Sequence, residues 1–136
     1  MDEERRALVG ARLTKAARKL EAARADLAAD RPDEAASRAY YAMFHGARAL
    51  LAARGLSART HAGLAAVFAE HFVRPGEVDP RLGRWLGQGR RARETGDYDD
   101  FLSLEPEEAV TAVEHAVRFL DEARAWLAAH GFSAIS

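Results

Sequence analysis

The fold of this chain is decided by residues 34–54, EAASRAYYAMFHGARALLAAR. On a helix with about 100° per residue, this stretch divides into an apolar side and a polar side. The apolar side holds Ala36, Tyr40, Met43, Phe44, Ala47, Leu50 and Leu51. The polar side is a stripe of Arg38, Tyr41, His45 and Arg48, with neighbours one turn or less apart. The first side predicts a helix in a bundle core. The second predicts either a ligand-binding surface or an interface with another helix or subunit.

The segments before this stretch have the same helical character. Pro32 fits the first position of the central helix, and Gly55 fits the left-handed conformation that ends it. The preceding helix is predicted from about Glu3 to Ala29. Its apolar stripe is Leu8, Leu13, Ala16, Ala17, Leu20, Ala23 and Leu27. We interpret the Arg residues of this helix as a solvated face.

Three further helices are predicted after Gly55. The first begins at Ser57 or Thr60 and ends near Val73. A shorter helix containing three glycines follows the Asp79–Pro80 start signal, and residues 96–100 are predicted to form a loop. The last helix is predicted from Pro106 to His130. The pattern predicts an all-α protein, an antiparallel up-and-down four-helix bundle with an additional short helix, in a single domain over residues 1–136.

Composition excludes several classes of protein. The chain has 136 residues, 20 basic and 21 acidic side chains, and no cysteine, so disulfides and thiolate metal sites are excluded. Because the net charge is only −1, contact with nucleic acid requires a local basic patch. No apolar run reaches the length of a membrane span, and the start of the chain is unlike a signal peptide. We therefore expect a cytoplasmic protein with no membrane contact.

Motifs for common enzyme chemistry are absent from the sequence. There is no nucleotide-binding glycine loop, no H-E-x-x-H and no G-x-S-x-G. The histidines lack the Glu-x-x-His spacing of di-iron sites, so we expect no metal and no cofactor. Two groups of residues could still bind phosphate or move a proton. One is the stripe with Arg38, Tyr41, His45 and Arg48, and the other is Arg93 followed by Asp97 and Tyr98.

Four blocks in the chain resemble the HEPN domain family, specifically its small stand-alone branch in bacteria and archaea. They are SRAYYAMFHGARALLAARG (37–55), THAGL (60–64), FAEHFVRPG (68–76) and RETGDYDD (93–100). The resemblance covers about residues 33–100. It implies an up-and-down helical bundle, a homodimer, and a minimal nucleotidyltransferase as the partner in a toxin–antitoxin pair.

The resemblance also implies a possible activity. Many HEPN domains are metal-independent ribonucleases that use an Arg and a His separated by four to six residues. In this chain Asp97 and Tyr98 stand after Arg93, where that His is expected, while Arg38 and His45 have six residues between them on an earlier helix.

Three hypotheses follow. The first is a toxin–antitoxin component that binds nucleotide or RNA in a cleft. The second is an active ribonuclease with Arg93 or Arg38 on the phosphate and His45 as the base. The third is a helical module without a ligand. The predicted binding residues are Arg38, Tyr41, His45, Arg48, His61, Arg93, Asp97 and Tyr98.

Overall fold

The computed structural model describes residues 2–98 and 104–132, with the side chains of residues 95–98 excepted. In this part of the chain all regular structure is helical: α1 (Glu3–Ala28), α2 (Pro32–Ala53), α3 (His61–Phe68), α4 (Arg81–Tyr98) and α5 (Pro106–Ala129). A π-helical turn, Ala69–Val73, continues α3. The prediction of an all-α fold is confirmed. None of the described helices is both long enough and apolar enough to cross a membrane.

Local signals fix the helix boundaries. Pro32 and Pro106 each lie in the first turn of a helix, where the missing N–H removes no hydrogen bond. The Thr60 hydroxyl accepts a hydrogen bond of 2.8 Å from the backbone N–H of Gly63 and so caps α3. Gly55 and Gly131 have φ values of 70° and 93° directly after α2 and α5, as the left-handed end of a helix requires.

Helix α2 is the central element of the bundle. It packs against α1, α5, α4 and α3. Helix α1 runs antiparallel to it. Asp26 near the end of α1 contacts Arg38 near the start of α2, and Arg12 contacts the carbonyl of Arg48 further along. The up-and-down bundle is therefore confirmed, with α1, α2, α4 and α5 as its long helices and α3 as the additional short one.

The central position of α2 changes which of its residues are buried. Tyr40, Met43 and Leu50 lie in the core as predicted, but Phe44, which was also placed there, is only partly buried. His45, placed on the polar side, is only 8% exposed. The division into one buried and one open side was wrong because α2 has neighbours on several sides.

Helix α4 is longer than predicted. It spans 18 residues and includes residues 96–98 of the predicted loop. Its glycines allow close packing: a Cβ atom at Gly89 would lie 3.0 Å from Tyr40 Cδ1, and one at Gly83 would lie 3.1 Å from Val73 Cγ2. Packing against α2 and the π-helical turn therefore outweighs the low helix propensity of glycine, about 1 kcal/mol per residue.

Candidate functional site

Five aromatic side chains form a continuous cluster, which we call the aromatic row: Tyr40, Tyr41, Phe44 and His45 from α2, and His61 from α3. The four α2 residues share one face because their spacing is close to one helical turn. His61 stacks on Phe44 with ring centroids 4.3 Å apart, and Phe44 lies 5.2 Å from His45. Tyr41, Phe44 and His61 are partly exposed. They can therefore offer ring surface to a ligand.

Arg93 brings a cation from α4 to this row. Its guanidinium carbon lies 5.6 Å from the ring centre of Tyr41 and 5.9 Å from that of Tyr40. Such cation–π contacts each contribute about 0.5–1 kcal/mol at partly exposed sites. Thus the structure brings Arg93 together with Tyr41 and His61, three residues that the sequence analysis had placed in separate groups.

Tyr40 and His61 form a short hydrogen bond. The phenol oxygen lies 2.6 Å from Nδ1 of His61. Burial raises the pKa of Tyr40 to about 12, and burial, followed by the charge of Arg93, lowers the pKa of His61. Both groups are thus neutral at pH 7. The phenol donates, Nδ1 accepts, and the ring proton of His61 is on Nε2.

His45 occupies the opposite end of the row from Arg93. Burial lowers its pKa to about 4, and the charges of Arg48, Lys15, Lys19 and Arg12 lower it further, in that order. Its Nδ1 is buried and has no hydrogen-bond partner. An efficient general base has a pKa near the working pH, so this imidazole is poorly suited to that role at pH 7.

Arg38 is engaged in an ion pair at the α1–α2 end of the bundle. Its Nη1 lies 2.6 Å from Oδ2 of Asp26, whose side chain is only 4% exposed. Arg31 approaches the other carboxylate oxygen at 3.9 Å. The predicted polar stripe is therefore divided: Arg38 neutralises a buried carboxylate, whereas Tyr41 and His45 belong to the aromatic row.

We expect an Arg38→Ala variant to lower the free energy of unfolding by about 3 kcal/mol, because it leaves a buried carboxylate without its main partner. Asp26→Ala should cost less, since Arg38 is 45% exposed and can be solvated. Urea denaturation of both variants and of the double variant measures the difference. Equal stability of Arg38→Ala and the unmodified protein would contradict this account of the pair.

Arg48 and the Asp97–Tyr98 pair complete the predicted set. The guanidinium carbon of Arg48 lies 5.8 Å from the ring centre of Phe44. Asp97 and Tyr98 lie in the last turn of α4, but their side chains are outside the described residues, so their role remains a prediction. Within residues 2–98 and 104–132, no group of three His, Asp or Glu side chains is placed to hold a metal ion.

Sequence reasoning did not identify two contributors to the site. Tyr40 was assigned only to the core, although a buried tyrosine hydroxyl requires a partner and its presence instead of phenylalanine was a signal. Lys15 and Lys19 were not singled out. Their signal was the absence of Asp and Glu between residues 5 and 20.

Comparison with known proteins gives consistent results. A family model described as the HEPN domain matches residues 9–126. A UPF0332 protein of Thermotoga maritima is 38% identical over 92 residues, which are 68% of this chain and 70% of that protein. Two proteins of Methanocaldococcus jannaschii, each named “Putative toxin”, are 32% and 36% identical over 95 and 88 residues. These regions are 70% and 65% of this chain. They are 65% of each relative, so the chain spans about two thirds of their length.

Proposed function

Because this chain belongs to the HEPN domain family, we propose that it is the HEPN component of a toxin–antitoxin pair and that it binds nucleotide or RNA at the aromatic row. The toxin names of two relatives support this role. The chain acts as one HEPN-like domain, and its partners are a second copy of itself and a minimal nucleotidyltransferase.

The observation that carries the proposal is the position of Arg93 against Tyr41, beside His61. A guanidinium group binds phosphate through two parallel hydrogen bonds. Aromatic side chains stack on bases of any sequence, with about 1–3 kcal/mol per base. Nε2–H of neutral His61 can donate to a phosphate oxygen. These groups together match the chemistry of a nucleotide unit, which is a phosphate next to a planar base.

The same geometry favours binding over cleavage. A ribonuclease without a metal needs a base that takes the proton of the ribose 2′-hydroxyl while the 2′-oxygen attacks the phosphorus and the 5′-oxygen leaves. His61 carries its proton on Nε2 when Nδ1 accepts from Tyr40, so that ring must first change tautomer to act as this base. His45 has a pKa of about 4 and is a weak base at pH 7. A cleaving enzyme is therefore the second candidate, with His61 beside Arg93 as the arrangement that favours it.

RNA binding tests the proposal directly. Fluorescence anisotropy of a labelled 12-nucleotide single-stranded RNA, titrated with the purified chain in EDTA, should give a Kd in the range of about 1–100 μM at moderate salt. Competition with AMP reports whether a single nucleotide occupies the same site. A denaturing gel of the same mixtures separates binding from cleavage. Absence of binding to both RNA and AMP at low salt would refute the ligand part of the proposal.

The partner is tested by coexpression. We expect the reading frame adjacent to this one to encode a minimal nucleotidyltransferase, and we expect the two products to copurify as a complex whose mass includes two copies of this chain. Expression of this chain alone should slow growth, and coexpression should restore it. Normal growth in both cases, together with separate elution of the two proteins, would contradict the toxin–antitoxin role.

A further inference from the structure

Two stretches without acidic residues face each other across the α1–α2 contact. Residues 5–20 contain no Asp or Glu, and residues 35–69 contain none either. Since α1 and α2 are antiparallel neighbours, the middle of one stretch lies against the middle of the other. The net charge of the chain, −1, conceals this local excess of positive charge.

Four cations in this region form what we call the basic cluster: Arg12, Lys15, Lys19 and Arg48. The three α1 residues are spaced by three and four positions and therefore lie along one side of the helix. Arg12 Nη1 donates a hydrogen bond of 3.0 Å to the carbonyl oxygen of Arg48 and ties the cluster to α2. Among the described residues, no carboxylate forms an ion pair with any of the four. The cluster therefore retains a positive charge that an anion can neutralise.

A buried polar group lies among these cations. His45 is 92% buried, and the charges that act on it are those of the basic cluster. Its Nδ1 has no hydrogen-bond partner in the protein. A buried polar atom left without a partner costs about 1–3 kcal/mol, so such atoms in native proteins call for an explanation. A ligand oxygen that contacts both the cations and this imidazole would provide one.

The basic cluster is continuous with the aromatic row. Arg48 belongs to the cluster and also lies over Phe44, whose ring stacks on His61. Arg93 stands at the other end of the row over Tyr41. Positive charge therefore lies at both ends of a partly exposed line of rings. This order of groups matches an extended single strand, with phosphates at the ends and bases on the rings between them.

We propose that the basic cluster, with His45, is a second phosphate-binding site, occupied by a backbone phosphate of a single-stranded RNA whose bases stack on Tyr41 and Phe44. This inference rests on the proposed function and extends it, because it requires a ligand of several nucleotides. A mononucleotide reaches only one of the two ends. The α1 arginine face interpreted above as solvated therefore includes, at Arg12, part of a ligand site.

The test compares long and short ligands with matched variants. The Lys15→Gln/Lys19→Gln variant removes two cluster charges. Arg24→Gln/Arg74→Gln removes two exposed charges elsewhere, with Arg24 on the opposite flank of α1. Anisotropy is measured with a labelled 12-nucleotide oligouridylate and with the dinucleotide UpU between about 50 and 200 mM salt. For the 12-mer, the cluster variant should bind roughly tenfold more weakly and reduce the salt slope by about 0.7 per lost contact. Binding of UpU should be unchanged, and the control variant should match the unmodified protein.

A second measurement reports on His45 itself. In ¹⁵N NMR spectra, the His45 imidazole signals should shift on addition of the 12-mer in the unmodified protein, but not in the cluster variant. Inorganic phosphate at the same concentration of phosphate groups should leave them unchanged. If inorganic phosphate gives the same shift as RNA, the site binds free anions and the proposed RNA path is wrong.

The outcomes separate this inference from the proposed function. If the unmodified protein binds RNA and the cluster variant binds it equally well, the second site is refuted and the proposed function stands. If the cluster variant weakens UpU and 12-mer binding by the same factor, the charges act non-specifically and the inference also fails. If the unmodified protein binds neither ligand, both proposals fail. Circular dichroism of each variant confirms that its helices are intact.

Discussion

An Arg93→Ala variant is expected to bind single-stranded RNA at least tenfold more weakly than the unmodified protein while remaining folded. Arg93 supplies the guanidinium at the row end formed by Tyr40 and Tyr41, and a charge-assisted phosphate contact is worth about 1.5–3 kcal/mol. Its two cation–π contacts are worth only about 1–2 kcal/mol together, which a domain of this size can lose without unfolding. Anisotropy with the 12-mer and urea denaturation measure the two effects.

Two further variants show whether this loss is specific to the guanidinium group. Arg93→Lys keeps the charge but not the planar pair of donors, so it should retain the salt slope and recover only part of the affinity. Arg91→Ala removes an exposed arginine from the same helix and should bind RNA nearly as well as the unmodified protein. The charge of Arg93 also depresses the pKa of His61, so NMR titration of Arg93→Ala should show a higher His61 pKa. Equal RNA affinity of the Arg93→Ala and Arg91→Ala variants would exclude Arg93 from the site.

The helices could be predicted from sequence because their signals are local. Apolar residues at three- and four-residue spacing identified α1, α2 and α5, and Pro32, Thr60, Pro106 and Gly131 marked their ends within a few residues. The length of α4 could not be predicted in this way. Its glycines lower helix propensity locally, and the contact of Gly89 with Tyr40 that makes a small residue suitable there joins positions 49 residues apart.

The candidate site could be predicted only in part, because its members come from different helices. Periodicity correctly grouped Tyr41 and His45 on α2 but could not show that His61 stacks on Phe44 or that Arg93 lies over Tyr41. It also treated the side opposite the core as open. That assumption failed for His45 because α1 covers this side of α2, and the sequence contains no signal for which helix becomes the neighbour.

The buried imidazole of His45 is expected to make the protein markedly less stable in mild acid. Its pKa is about 4 in the folded protein, against about 6.5 in an unfolded chain. Between these values the unfolded state binds a proton that the folded state does not, so falling pH favours unfolding. The contribution of His45 to stability is fully present above pH 6.5. As pH falls to 4, up to about 3 kcal/mol of it is lost.

A His45→Phe variant isolates this effect because phenylalanine fills a similar space and cannot titrate. Urea denaturation of both proteins at several pH values between 7 and 4 gives the free energy of unfolding of each. Carboxylates and the other histidines titrate in both proteins, so their contributions largely cancel in the difference. Relative to His45→Phe, the unmodified protein should lose stability with a slope approaching 1.4 kcal/mol per pH unit below pH 6.5. A difference that stays constant across this range would mean that His45 accepts a proton in the folded state as readily as in the unfolded one. In that case the imidazole could not be the neutral group, enclosed by four cations, on which the second phosphate site depends.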